Sequence, residues 1–211
     1  MRLLKLNAIP CRKIICYLLL FLIVPGVQVT LSGYFTFSGQ TVDMTLVLAV
    51  LIGFLYGFKE GVISGLILGV IRDCLSAPVL SGSDGAVRIS FGIGILLLFF
   101  AGVYGALFFE GRTNRNLLLG VLAVFTFTVI YKAVGHLAVF FWNMIFSSYK
   151  VPFDIADVLI HSVLPAILLN SVFAVFMYLI LKYLGPVKYE SRKKSGKKEL
   201  TYGDSGKWLT I

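Results

Sequence analysis

The chain has 211 residues, of which 58% are hydrophobic and only 14% are charged. Soluble domains carry roughly 25% charged residues, so a water-soluble globule is excluded and lipid must be the solvent for most of the chain. The net charge of +9 does not indicate nucleic-acid binding. Much of the excess lies in a basic tail, Lys182 to Lys207, next to a hydrophobic segment, which is typical of a cytoplasmic membrane-proximal region.

Six apolar runs predict six transmembrane helices. The runs are Ile14–Leu31, Met44–Phe58, Gly61–Ala77, Ile89–Phe109, Leu117–Phe146 and Ile155–Leu184. A span needs about 20 helical residues, so the second and third runs are short. Because only Lys59 and Glu60 separate these two runs, we expect a tight helical hairpin. Pro165 is expected to bend the last helix, since proline removes a backbone donor.

Lys and Arg residues are distributed unequally between the two sides of these spans. One side receives Arg2, Lys5, Arg12, Lys13, Lys59, Arg112, Arg115, Lys182 and the tail, and the other receives Arg72, Arg88 and Lys150. The positive-inside rule therefore predicts that both termini are cytoplasmic. We expect an all-α integral membrane protein in which residues 1–185 form a six-helix bundle. Residues 186–211 are expected to be a flexible basic tail that attracts anionic lipids.

The first run allows a second interpretation. Its basic start and the small residues near Ser32–Gly33 also fit a cleaved signal peptide. Cleavage would leave five spans and an external N-terminus, and the charge pattern agrees with both topologies. We adopt the retained helix, Ile14–Leu31.

A glycine stripe runs along the second and third runs. Its members recur every four residues: Gly53, Gly57, Gly61, Gly65 and Gly69. Positions four apart share a helix face, and glycine there lets another backbone approach closely. The fourth run has a similar small-residue patch, with Ala101, Gly102, Gly105 and Ala106. The stripe predicts either internal helix packing or, at Gly57, Gly61, Gly65 and Gly69, a docking groove for a partner's transmembrane helix.

Polar side chains inside the predicted spans form a second pattern. The predicted network contains Arg72, Asp73, Lys132, His136 and Asn170. A charged group at the centre of a span costs about 2.5–3.5 kcal/mol, so such groups seek partners within the bundle. Asp73 and Lys132 have overlapping predicted heights, which predicts an ion pair. The network is either a strut that joins helices or a site for a small molecule or a proton.

No motif indicates catalysis. The sequence contains no HExxH zinc motif, no GxSxG nucleophile elbow and no GK[ST] phosphate loop. Asp154 and Asp157 fall at a predicted helix N-terminus, where acids are favoured without a catalytic role. We therefore expect no enzyme activity, no catalytic residues, no metal and no cofactor.

The stretch from Asp43 to Ser76 resembles the family of the rod shape-determining membrane protein MreD. The matching elements are Asp43, Tyr56–Gly57–Phe58, Lys59–Glu60–Gly61, Gly65, Gly69 and Asp73. Weaker matches are Glu110–Gly111–Arg112 and the segment from Leu164 to Asn170. The departures from the family pattern are Arg72 beside Asp73, the long loop from Ser76 to Arg88 and the tail after Pro186.

The resemblance implies a non-catalytic scaffold of the bacterial cell-wall elongation machinery, the rod complex, which governs cell shape and peptidoglycan synthesis. MreD-like proteins lie in the plasma membrane and pair with the single-span protein MreC, and through it with the MreB filament and wall synthases. Their six-helix fold is similar to that of the substrate-binding subunits of energy-coupling-factor transporters. A vitamin-binding subunit is therefore the alternative function, although Ile14–Leu31 lacks the Ala-xxx-Ala docking motif that such subunits usually carry.

Overall fold

The computed structural model describes residues 3–31, 33–34, 36–76, 79–81, 87–89, 92–108, 116–146 and 155–186. Its helices are α1 (Leu3–Leu31), α2 (Met44–Tyr56), α3 (Phe58–Ser76), α4 (Ile93–Leu107), α5 (Leu117–Phe146), α6 (Ile155–Val158) and α7 (Leu164–Leu184). A π-helical segment, Leu159–Val163, joins α6 to α7. Two short antiparallel pairs connect helices: β1 (Thr36–Phe37) with β2 (Gln40–Thr41), and β3 (Val79–Ser81) with β4 (Val87–Ile89).

Three helical stretches are long and apolar enough to cross a membrane, and α2 and α4 are shorter apolar helices. The long stretches are Lys13–Thr30, Leu117–Leu137 and Ala156–Leu184. Large apolar side chains face outward on several helices; Leu22 is 63% exposed, Phe100 57% and Val172 60%. Soluble monomers rarely expose such continuous apolar surface. The architecture is consistent with an all-α membrane protein.

Helix α2 is the centre of the bundle. Every residue from Met44 to Leu55 is buried, and α1, α3, α4, α5 and α7 all contact the helix. A helix that is apolar on every side must be enclosed by other elements. Its 13 residues correspond to about 20 Å of rise, less than the thickness of a hydrocarbon core.

The predicted helical hairpin is present, with its turn at Gly57. This residue has a φ of +96°, a conformation that glycine adopts without steric cost. Its N–H donates to the carbonyl oxygen of Gly53 at 2.9 Å. A Cβ at Gly57 would meet open space, so the turn conformation, rather than close packing, requires glycine here.

The rest of the glycine stripe packs against α4. A Cβ added at Gly61, Gly65 or Gly69 would overlap backbone atoms of that helix. The atoms belong to Gly102, Leu98 and Ile95, respectively. Because α4 already occupies this face, the predicted docking groove at Gly57, Gly61, Gly65 and Gly69 is wrong. Gly61, Gly65 and Gly69 serve internal helix packing, and Gly57 forms the turn of the hairpin.

The last helix departs from α geometry directly before Pro165. In the π-helical segment the N–H of Leu164 donates to the carbonyl oxygen of Leu159, five residues earlier. Proline has no N–H and its ring crowds the carbonyl four residues before it. The wider π turn accommodates this loss at the place where the sequence predicts an irregularity.

The β1–β2 pair was not predicted from the sequence. Its two-residue turn consists of Ser38 and Gly39, whose φ values of 51° and 74° are both positive. Such turns match the twist of a β-hairpin. Strands of two residues are too short to produce a detectable alternation of polar and apolar residues.

Replacing Gly65 with leucine should destabilise the bundle. The new side chain would meet the α4 backbone, and overpacking of this kind typically costs about 1–3 kcal/mol of unfolding free energy. The matched control is Gly135→Leu, because Gly135 lies on α5 and its Cβ would meet open space. Thermal-shift measurement in detergent micelles should show a lower Tm for Gly65→Leu alone. Equal melting of both variants would contradict the close α3–α4 contact.

Candidate functional site

A polar cavity lies where the β1–β2 hairpin meets the start of α2. Its volume is about 140 Å³. Its walls are formed by residues of the hairpin, of the segment that leads into α2, and of α1, α3, α5 and α7. The lining residues are Gln28, Gln40, Thr41, Val42, Asp43, Arg72, Tyr131, Lys132, Ala166 and Asn170.

Asp43 organises one wall of the polar cavity. One carboxylate oxygen caps α2 by accepting from the N–H of Leu46 and the hydroxyl of Thr45, each at 3.0 Å. The other accepts from the guanidinium of Arg72 at 2.9 Å. An acidic side chain is favoured at a helix N-terminus because the helix dipole is positive there. Asp43 therefore caps the start of α2 and also binds Arg72, the one lining residue that α3 contributes.

Two amide side chains attach further helices to the start of α2. Asn170 on α7 accepts from the N–H of Asp43 at 2.9 Å and donates to the hydroxyl of Thr128 on α5 at 3.2 Å. Gln28 on α1 accepts from the N–H of Thr45 at 2.8 Å. These bonds satisfy backbone donors that the first turn of a helix leaves without partners. Such bonds matter more the further a helix start lies from water, because fewer water molecules can take their place.

Lys132 reaches the same cavity from α5. Its ammonium donates to the side-chain oxygen of Gln40 at 2.7 Å. The neighbouring Tyr131 is hydrogen-bonded to Arg72. Two cations, Arg72 and Lys132, thus share a cavity whose lining includes one carboxylate, that of Asp43.

The predicted Asp73–Lys132 ion pair does not form. Asp73 is 2% exposed and caps α4, with its carboxylate accepting from the N–H groups of Gly92 at 2.7 Å and Gly94 at 2.9 Å. The predicted depths of Asp73 and Lys132 in the membrane do not state in which direction each side chain points around its helix axis. Successive residues point about 100° apart on a helix, so Arg72 faces the cavity while Asp73 faces α4.

His136 also lies outside the polar cavity. Its Nε2 and the hydroxyl of Ser162 are 2.9 Å apart, which links α5 to the π-helical segment. The predicted network is therefore divided: Arg72, Lys132 and Asn170 meet at the cavity, Asp73 caps α4 and His136 contacts the last helix. Within the described ranges, no three His, Cys, Asp or Glu side chains come together as a metal site.

Sequence reasoning missed several members of the site. Asp43 entered the sequence analysis only through the family resemblance, as the acidic residue that opens an apolar helix, and its position before a long apolar run is also a recognised N-cap signal. Gln28 and Gln40 carry no comparable signal, because nothing in their local sequence indicates that both meet the start of α2. A comparison of the chain with protein families, curated proteins and solved structures finds no match.

The Asp43–Arg72 pair can be tested by a double-mutant cycle. Asp43→Asn keeps a good N-cap residue while removing the charge, and Arg72→Met removes its partner. Both side chains are largely buried, 15% and 20% exposed, and breaking a buried pair typically costs about 3–5 kcal/mol. Each single change should lower the unfolding free energy in micelles, and the double change should recover part of the loss. Strict additivity would show that the two groups are not coupled.

A second cycle serves as the control. Asp73→Asn and Lys132→Met involve groups that bind different elements of the bundle, so their effects should add within about 0.5 kcal/mol. A large coupling between Asp73 and Lys132 would contradict the arrangement described above.

Proposed function

We propose that this protein is a non-catalytic membrane scaffold of the bacterial cell-wall elongation machinery that docks a single-span, MreC-like partner. In this proposal α1, α2, α3, α4, α5 and the continuous α6–α7 helix are the six spans of a plasma-membrane protein, with both termini in the cytoplasm. The resemblance of Asp43–Ser76 to the MreD family supplies the biological setting.

The observation that carries the proposal is an apolar groove between α1 and α3. Its volume is about 460 Å³, and its walls include Leu18, Leu22, Ile63 and Ile67. These four side chains are 40–63% exposed, so the groove lies on the outer surface of the bundle. An amphipathic or apolar helix docks into such a groove through side chains spaced along one face.

The groove is held in shape by a polar contact at one end. Lys13 on α1 and Glu60 on α3 form an ion pair, at the end that the charge distribution predicts to be cytoplasmic. A groove that is already formed loses less conformational entropy when a partner binds. A fixed surface of this kind supports a scaffold better than a catalyst.

The polar cavity favours the alternative function, a vitamin-binding subunit of an energy-coupling-factor transporter. However, sites for drug-sized ligands usually enclose about 300–1,000 Å³, whereas this cavity encloses about 140 Å³. The scaffold is therefore the function that the geometry supports better. Saturable binding of a vitamin by the purified wild-type protein would favour the transporter subunit over the scaffold.

Partner docking can be tested by filling the groove. Ile67→Trp should prevent co-purification of a co-expressed MreC-like protein from the same genome, because the larger ring occupies the space of the partner helix. The matched control is Leu122→Trp on α5, since Leu122 is 42% exposed and Ile67 40% exposed. Both variants should insert and melt like the wild type.

The outcomes are distinct. Loss of the partner with Ile67→Trp alone supports docking at the groove. Retention of the partner by both variants would exclude the groove as the docking surface. Failure of the wild type to retain any MreC-like protein would contradict the proposed function itself.

The six-span topology has its own test. Reporter fusions after Tyr149 and within Ser81–Gly85 should give external signals, because those segments lie on the side with few cations. Fusions after Arg112 and Lys194 should give cytoplasmic signals. A cytoplasmic signal from Ser81–Gly85 would contradict six spans with both termini inside.

A further inference from the structure

The ammonium of Lys132 forms no direct ion pair within the part of the chain that the structure describes, and the nearby carboxylate of Asp43 acts on it only through space. Its hydrogen bond goes to the neutral amide of Gln40, and the carboxylate of Asp43 already binds Arg72 and the first turn of α2. An ammonium has three donors, so two remain after the bond to Gln40. Lys132 stands mid-way along an apolar helix, Leu117–Phe146, where an uncompensated charge is costly.

The surroundings of Lys132 suit an anion better than a cation. Arg72 adds a second positive charge to the same cavity, while Asp43 is the one acidic residue in its lining. Buried charges in proteins are normally paired or hydrogen-bonded. With two cationic side chains and one carboxylate in its lining, the cavity therefore favours a further negative charge.

The volume of the cavity limits the size of the occupant. The space of about 140 Å³ is far below that of a drug-sized site but exceeds the roughly 30 Å³ that one water occupies in the liquid. Gln40 and Thr41 come from the β1–β2 hairpin, which forms one side of the cavity and whose residues from Thr36 to Gly39 are exposed. In the proposed six-span topology this hairpin joins the external ends of α1 and α2, which would let a small solute reach the cavity from the aqueous side.

We propose that the polar cavity binds one small oxyanion, a carboxylate or a phosphate, through the ammonium of Lys132. The anion accepts the hydrogen bonds that Gln40 does not use and neutralises the second cation of the cavity. Binding joins α5 to the β1–β2 hairpin and so stabilises the folded bundle by mass action. The site is independent of partner docking at the α1–α3 groove, and either proposal can fail without the other.

The test uses the purified full-length protein in zwitterionic micelles at neutral pH. Inorganic phosphate, acetate and chloride are titrated at constant ionic strength, with binding followed by calorimetry and stability by thermal shift. The wild type should bind phosphate or acetate saturably and melt at a higher temperature, and chloride should have a much smaller effect. Binding of only one of the two oxyanions assigns the site to phosphate or to carboxylate.

Three variants locate the site. Lys132→Gln should weaken binding about tenfold or more, a factor that corresponds to about 1.4 kcal/mol, while Lys132→Arg should retain binding. The control, Lys182→Gln, removes a cation from the last turn of α7 and should bind like the wild type. Equal binding by Lys132→Gln and the wild type would overturn the proposal.

A further variant covers the case in which Lys132→Gln does not fold. Gln40→Glu replaces an amide by a carboxylate of the same shape, in hydrogen-bonding contact with the ammonium. The built-in anion should raise the Tm and abolish the response to added oxyanions. An unchanged response in Gln40→Glu, or no oxyanion binding by the wild type, would show that Lys132 does not hold a small anion.

Discussion

The close approach of α4 to the helical hairpin is the contact on which the bundle depends. Apolar burial cannot drive helix association in lipid, so packing and polar contacts must do so. Gly61, Gly65 and Gly69 remove the side chains that would keep the two backbones apart. The carboxylate of Asp73 then fixes the first turn of α4 against the end of α3. Helices α3 and α4 both contact α2 and so enclose part of its surface.

The start of α2 is the second point of attachment. Asp43 connects this helix to α3 through Arg72, and its N–H connects it to α7 through Asn170. A short helix at the centre of a bundle exposes its terminal donors and acceptors to neighbouring helices rather than to water. The polar cavity follows from that constraint, because the side chains that satisfy this terminus must themselves be polar and converge.

Much of the fold could be predicted from the sequence, and less of the site. Apolar runs located the helices, and the fifth run, Leu117–Phe146, has the bounds of α5. The first run gave only part of α1, which begins at Leu3, because the first residues of that helix include charged side chains. Close packing was one of the two interpretations of the glycine stripe, since small residues four apart form a smooth face. The polar contacts could not be assigned, because depth along an axis does not state which neighbour a side chain faces. Asp73 and Lys132 were paired on depth alone, and they bind different elements.

The π-helical segment before Pro165 changes the rotational phase of the last helix. It inserts one residue into a turn, so side chains on its two sides are offset by about 100° relative to a continuous α-helix. A single helical wheel drawn through Ile155–Leu184 would therefore place Asp157 and Asn170 in the wrong angular relationship. Asn170 reaches the start of α2 while Asp157 stays exposed. Deleting one residue from this segment would turn the face that bears Asp157 by about 100° relative to α7.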